Sequence, residues 1–224
     1  MTTRRALLLA LALAALVDLG SLVADHEPGH TVAKPLLMPL LAAYAALSGA
    51  PRLLVVALLF GWGGDTLLLF DAEPAFLAGM ASFAAGHVCY LALARKHGRA
   101  DAHHSFLLVV YCVVLANTLP FLWPDLPADL RIPVAAYSLL LTAMAYGVGS
   151  RFGRVAGLGG ALFVLSDMLI ATGVADWPQL PRPDFWIMLT YIAAQILIVF
   201  GTLRALEARP GPAATYGEVR STTP

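Results

Sequence analysis

An all-α membrane protein, a polytopic bundle of eight transmembrane helices, is predicted by three features of the sequence. Hydrophobic residues make up 59% of the 224-residue chain and charged residues 12%, about half the charge of an ordinary soluble domain. Eight apolar stretches approach the length that a helix needs to cross about 30 Å of hydrocarbon at 1.5 Å per residue. The basic residues between those stretches fall mostly on one side of the implied bilayer.

The first stretch, Ala6–Ala24, follows Arg4 and Arg5 as a signal peptide would. It is longer than an ordinary signal core, and Leu22-Val23-Ala24 makes a poor cleavage site, so it reads as a retained helix. The second, Pro35–Gly49, is the shortest and opens at a proline. Leu53–Phe70, Ala75–Ala94, Ser105–Trp123, Ile132–Gly149, Val155–Gly173 and Phe185–Leu206 complete the set, joined by brief links marked by proline and glycine. Residues 1–207 therefore read as a single transmembrane domain, and 208–224, rich in proline and small polar residues, as a disordered tail. Cys89 and Cys112 lie in apolar stretches and read as small hydrophobes.

With both ends in the cytoplasm, that side holds Arg4, Arg5, Arg52, Arg95, Lys96, Arg99, Arg151, Arg154, Arg204, Arg209 and Arg220, eleven of the fourteen basic residues. Every cytoplasmic link then carries an arginine, and a miscounted helix would scramble the pattern. Arginine outnumbers lysine twelve to two, a coding bias expected of a GC-rich bacterial genome, so the membrane expected is a bacterial cytoplasmic one. A net charge of zero argues against a nucleic-acid partner.

Spans three and seven carry similar words, Gly64-Asp65-Thr66-Leu67-Leu68 and Ser166-Asp167-Met168-Leu169-Ile170, and spans two and six each follow a basic residue near a proline. Four helices separate the members of each pair, which suggests a parallel four-plus-four repeat with Asp65 and Asp167 in equivalent places. An aspartate at the bilayer centre costs about 2.5–3.5 kcal/mol and must be neutralised or paired, so this pair points to function where lone polar residues point to interhelical glue. Tyr191 and Gln195 share a helix face at similar depth, with Tyr137 and Asn117 nearby and with His87 and Tyr90 slightly deeper. Together they suggest a polar pocket opening to the non-cytoplasmic side, with Lys34 at its mouth. Asp18 lies near the end of its helix and reads as interfacial. Asp25-His26-Glu27 with His30 resembles metal-ligand spacing, but a polar loop explains it better, and His87 is the one histidine inside a predicted span. No metal and no organic cofactor is expected, since no haem or phosphate-binding motif occurs.

These residues resemble a known family, the YhhN-type lysoplasmalogenases. The similar words are Lys34-Pro35, Gly64-Asp65, Phe83 with His87 and Tyr90, Pro133 with Tyr137, Gly160 with Phe163 and Ser166-Asp167, and Tyr191 with Gln195. Their order runs through the chain from Lys34 to Gln195. The resemblance implies an eight-helix hydrolase that cleaves the vinyl-ether bond of a lysophospholipid drawn from membrane lipids, releasing a fatty aldehyde and a glycerophospho-base. It implies Asp65 and Asp167 as catalytic, with Lys34, His87, Tyr90, Tyr137, Tyr191 and Gln195 around the substrate. The chemistry suits two carboxyls, because vinyl-ether hydrolysis needs an acid for the β-carbon and a carboxylate to steady the resulting cation. An intramembrane aspartyl protease also uses two helix-borne aspartates, but Trp62-Gly63-Gly64-Asp65 departs from the Gly-x-Gly-Asp of presenilin-like proteases. A proton-coupled transporter with an aspartate relay is the alternative function.

Overall fold

The protein is described by a computed structural model covering residues 2–99 and 105–208. The predicted tail, 209–224, lies outside the described residues, as do Arg209 and Arg220. The described residues form eight helices and no strand: α1 Thr3–Val23, α2 Glu27–Leu47, α3 Arg52–Leu67, α4 Glu73–His97, α5 Ser105–Leu122, α6 Arg131–Phe152, α7 Arg154–Val174 and α8 Pro183–Glu207. All except α3 and α5 are long and apolar enough to cross a membrane. Large apolar side chains such as Leu13 and Leu16 point outward, as they must where lipid is the solvent. The chain is a multi-pass membrane protein.

Two boundaries differ from expectation for physical reasons. α2 does not open at Pro35 but eight residues earlier, where Pro28 occupies the first turn and His26 accepts a hydrogen bond from Gly29 N at 3.1 Å. Pro35 and Pro39 lie inside the helix, which neighbours in a packed bundle tolerate. α2 is thus 21 residues long, and α3, with 16, is the shortest. The predicted third stretch still runs to Phe70, because its last turn tightens: Leu69 N and Phe70 N bond three residues back, to Thr66 O and Leu67 O.

Each inner helix buries one stripe. On α1 it is Leu11, Ala14, Asp18 and Ser21, and on α2 Lys34, Leu37, Met38, Leu41 and Ala45, spaced three and four apart. α3 packs on α2 and α4, α7 on α6 and α8, and α4 on α6, while α5 leans on α6 alone among the closely packed pairs. Close approach is made by small residues. A Cβ on Gly159 would stand 2.7 Å from Ala194 O, so α7 and α8 touch backbone to backbone.

Candidate active site

Asp65 sits in the final turn of α3, 2% exposed. It is reached from α8: Tyr191 OH donates to its Oδ2 at 2.8 Å. Gln195, one turn along, donates from Nε2 to Tyr191 OH at 3.4 Å and accepts from Tyr90 OH at 2.6 Å. Gly61 makes this possible, because a Cβ there would lie 3.1 Å from Tyr191 OH and 3.3 Å from Gln195 Nε2. Gly64 does the same for α4, since any side chain would collide with the Phe83 ring.

Asp167 has a parallel arrangement. Tyr137 OH on α6 donates a short hydrogen bond to its Oδ2, and His87 Nε2 on α4 stands 3.0 Å from the same hydroxyl. Because that hydroxyl already donates to the carboxylate, His87 must donate from Nε2. Its Nδ1 then carries the lone pair, and it has no partner among the described residues. Phe163 joins the two chains, edge-to-face with His87 at 4.9 Å and with Tyr191 at 5.4 Å between ring centroids.

The two carboxyls differ in access. Asp167 is partly exposed and, with Tyr137, borders a large cleft between α4, α5, α6 and α7. Asp65, Tyr191 and Gln195, expected on the walls of one common pocket, do not line it; they lie behind Phe83.

Four residues stand elsewhere than expected. Lys34 is not at a mouth: two turns inside α2, it is 9% exposed and its charge acts on Asp65. It makes no hydrogen bond or ion pair among the described residues. Asp18 is not interfacial but fully buried, its Oδ1 2.8 Å from His30 Nδ1. The earlier start of α2 turns His30 inward, so His30 too lies in a helix, and the loop reading of the histidine-acid run holds only for Asp25 and His26. Its place on the 11, 14, 18, 21 stripe of α1 was the readable signal for Asp18. Asn117 faces outward on α5 and donates to Val113 O of its own helix at 2.7 Å.

The sequence profile of the YhhN family matches residues 29–202. The chain belongs to the YhhN family. Lysoplasmalogenase TMEM86B of Homo sapiens is 37% identical over 157 residues, covering 70% of this chain and 66%, just under two thirds, of that protein. Lysoplasmalogenase TMEM86B of Sus scrofa is 33% identical over 194 residues, 84% of this chain and 82% of that protein. Lysoplasmalogenase TMEM86A of Bos taurus is 32% identical over 165 residues, 69% and 65% of the two chains. No solved structure matches. The YhhN match includes every residue of both tyrosine–aspartate chains and leaves Asp18 outside.

Proposed function

We propose that the protein is a lysoplasmalogenase, a membrane hydrolase of the vinyl-ether bond of lysophospholipids, with Asp65 and Asp167 as its acid–base pair. The observation that carries the reading is that each aspartate is held by a tyrosine from a neighbouring helix within one aromatic-walled centre, in a chain whose relatives are named lysoplasmalogenases. Asp167, which borders the cleft, is the proton donor. It protonates the β-carbon of R–CH=CH–O–R′, and the C=C electron pair forms the new C–H bond, leaving an oxocarbenium ion. Asp65 stands behind Phe83 in the resting bundle; in this reading that ring turns aside when substrate binds, and Asp65, within electrostatic reach of Lys34, is then the carboxylate that steadies the cation and takes a proton from the attacking water. In the collapse of the hemiacetal Asp65 gives its proton to the leaving O–R′ and Asp167 takes the hydroxyl proton, which restores both groups and yields R–CH2–CHO and HO–R′ with one water consumed in all. The two tyrosines hold the carboxyls in place, and Tyr90, Gln195 and His87 hold the tyrosines.

All eight helices cross the bilayer in this reading, within one domain spanning 1–207 and with both ends cytoplasmic. The basic residues support that orientation. A parallel four-helix repeat is supported by the similar words around Asp65 and Asp167, each the fourteenth residue of its helix, α3 and α7.

The test is aldehyde release from a lysoplasmalogen by purified protein in lipid. Asp65→Asn and Asp167→Asn are each expected to lower turnover by at least about 10²-fold, the lower end of what general acid–base catalysis supplies. Both should keep the melting temperature of the parent, asparagine being cheaper than aspartate in lipid. Near-normal turnover in either folded variant would overturn the assignment of that aspartate.

A further inference from the structure

A cleft opens where α5 stands away from the rest of the bundle. Among the described residues α6 is the one closely packed neighbour of α5, and across from it α4 and α7 leave the cleft that Asp167 borders. Its walls are mostly hydrocarbon, from Phe76 and Met80 on α4, Leu115 on α5, Leu141 on α6 and Val164 on α7. Thr118 and Thr142, also on the walls, bond back to carbonyls of their own helices, Val114 O at 2.9 Å and Ser138 O at 2.7 Å. The strongest polar feature left is the Tyr137–Asp167 pair. One end is closed by a separate apolar cluster of Leu122, Leu126, Leu130, Val134 and Ala175. That plug is fastened by Trp177 Nε1 donating to Asp125 Oδ2 at 2.8 Å.

A purely apolar occupant would leave the Asp167 carboxyl facing hydrocarbon, which is costly. A polar occupant would waste the walls. The lining calls for a long aliphatic chain that ends in a reacting polar atom. From Tyr111 to Leu122 the α5 wall is about 16 Å long at 1.5 Å per residue. Lipid tails are as apolar as these walls, so the cleft adds no hydrophobic attraction over the bilayer. What it adds is placement of the chain's reactive end against a fixed carboxyl.

We propose that this cleft holds the fatty chain of the substrate, entering sideways from the bilayer between α4 and α5, with the vinyl-ether end against Asp167. The proposal rests on the function proposed above, and a saturated alkyl-ether lysophospholipid separates the two, because it has no C=C to protonate and so binds without reacting. A photoreactive diazirine in such a chain is cross-linked to the intact protein in nanodiscs and the adducts are mapped by mass spectrometry. The expected result is labelling of Met80, Leu115 or Leu141 that excess unlabelled lysophospholipid competes away. Thr118→Trp and Ser138→Trp, which narrow the cleft on two different helices, should lower kcat/KM for long chains about 10-fold or more relative to short ones. Labelling confined to outward residues such as Leu13 and Leu16, or uncompeted labelling, would overturn the chain site even if hydrolysis occurs. Competed labelling within the cleft without hydrolysis of any lysoplasmalogen would leave the chain site standing and overturn the catalytic reading. If both tryptophan variants fold and keep the parent's chain preference, the cleft does not hold the chain.

Discussion

A buried charge in an apolar bundle needs a counter-charge or a proton, and four groups near α2 meet that need in sequence. Asp18 contacts His30, and Lys34, one turn beyond His30, lies within electrostatic reach of Asp65 without a direct bond to it. A lysine so placed acts on the carboxylate and not on a distant head group. Lys34→Met should therefore lower kcat by about 10-fold while leaving KM nearly unchanged, since a unit charge acting through space at about 10 Å and an effective dielectric of about 20 is worth about 2 kcal/mol. Steady-state kinetics on the proposed substrate decide it. A rise in KM with kcat intact would instead place a substrate phosphate on Lys34. The Asp18–His30 pair makes a second prediction. Asp18→Leu removes a buried partner of His30, and the variant should melt measurably below the parent, whereas Asp18→Asn, which keeps an acceptor, should melt close to it. Equal melting of both variants would mean that the contact adds nothing to the fold.

At the scale of helices, glycines decide where the tyrosines can reach. Gly64 is the only residue type that leaves room for the Phe83 ring, and that ring packs edge-to-face on Tyr191 with centroids 5.9 Å apart. Gly64→Val should push α4 from α3, at about 1–3 kcal/mol for overpacking, and loosen the Tyr191–Asp65 bond with it. A thermal melt and an activity assay should fall together; activity loss without destabilisation would mean that Gly64 serves another purpose. Much of this was legible in the sequence. Long apolar runs and their breaks located the elements, and equal depth on antiparallel helices brought Tyr191 and Gln195 to Asp65 and Tyr137 to Asp167. Depth alone does not say which way a side chain points around its helix. Hence Asn117, at the right depth, faces outward, and Asp18, which depth alone places at the interface, lies on a buried stripe. The start of α2 was hidden because Pro35 resembles a helix opening, while the actual cap is His26 with Pro28 behind it.

The whole molecule poses the question of orientation. Along each of the four helices that would run outward, α1, α3, α5 and α7, the chain would leave the cytoplasm beside arginine or lysine and arrive at a turn bearing aspartate or glutamate: Asp25 and Glu27, Asp71 and Glu73, Asp125 and Asp129, Asp176 and Asp184. The outer turns also hold together, since Arg182 Nη1 donates to Leu22 O and to Asp25 Oδ1, each at 3.1 Å, tying the entry of α8 to the α1–α2 turn. Asp65, in the last turn of α3, and Asp167, about two-thirds along α7, would then lie in the half of the bilayer away from the cytoplasm. Reversing the molecule would place most basic residues on the translocated side, against the strongest bias known in membrane insertion. Reporter fusions after Glu207 and within the α7–α8 turn test this in a bacterial host. A fluorescent protein after Glu207 should light and an alkaline phosphatase there should stay inactive, whereas the same phosphatase inserted between Trp177 and Leu180 should be active. Failure of α8 to cross would reverse the result at Glu207 alone, whereas the loss of an earlier crossing or an inverted bundle would reverse it at both places.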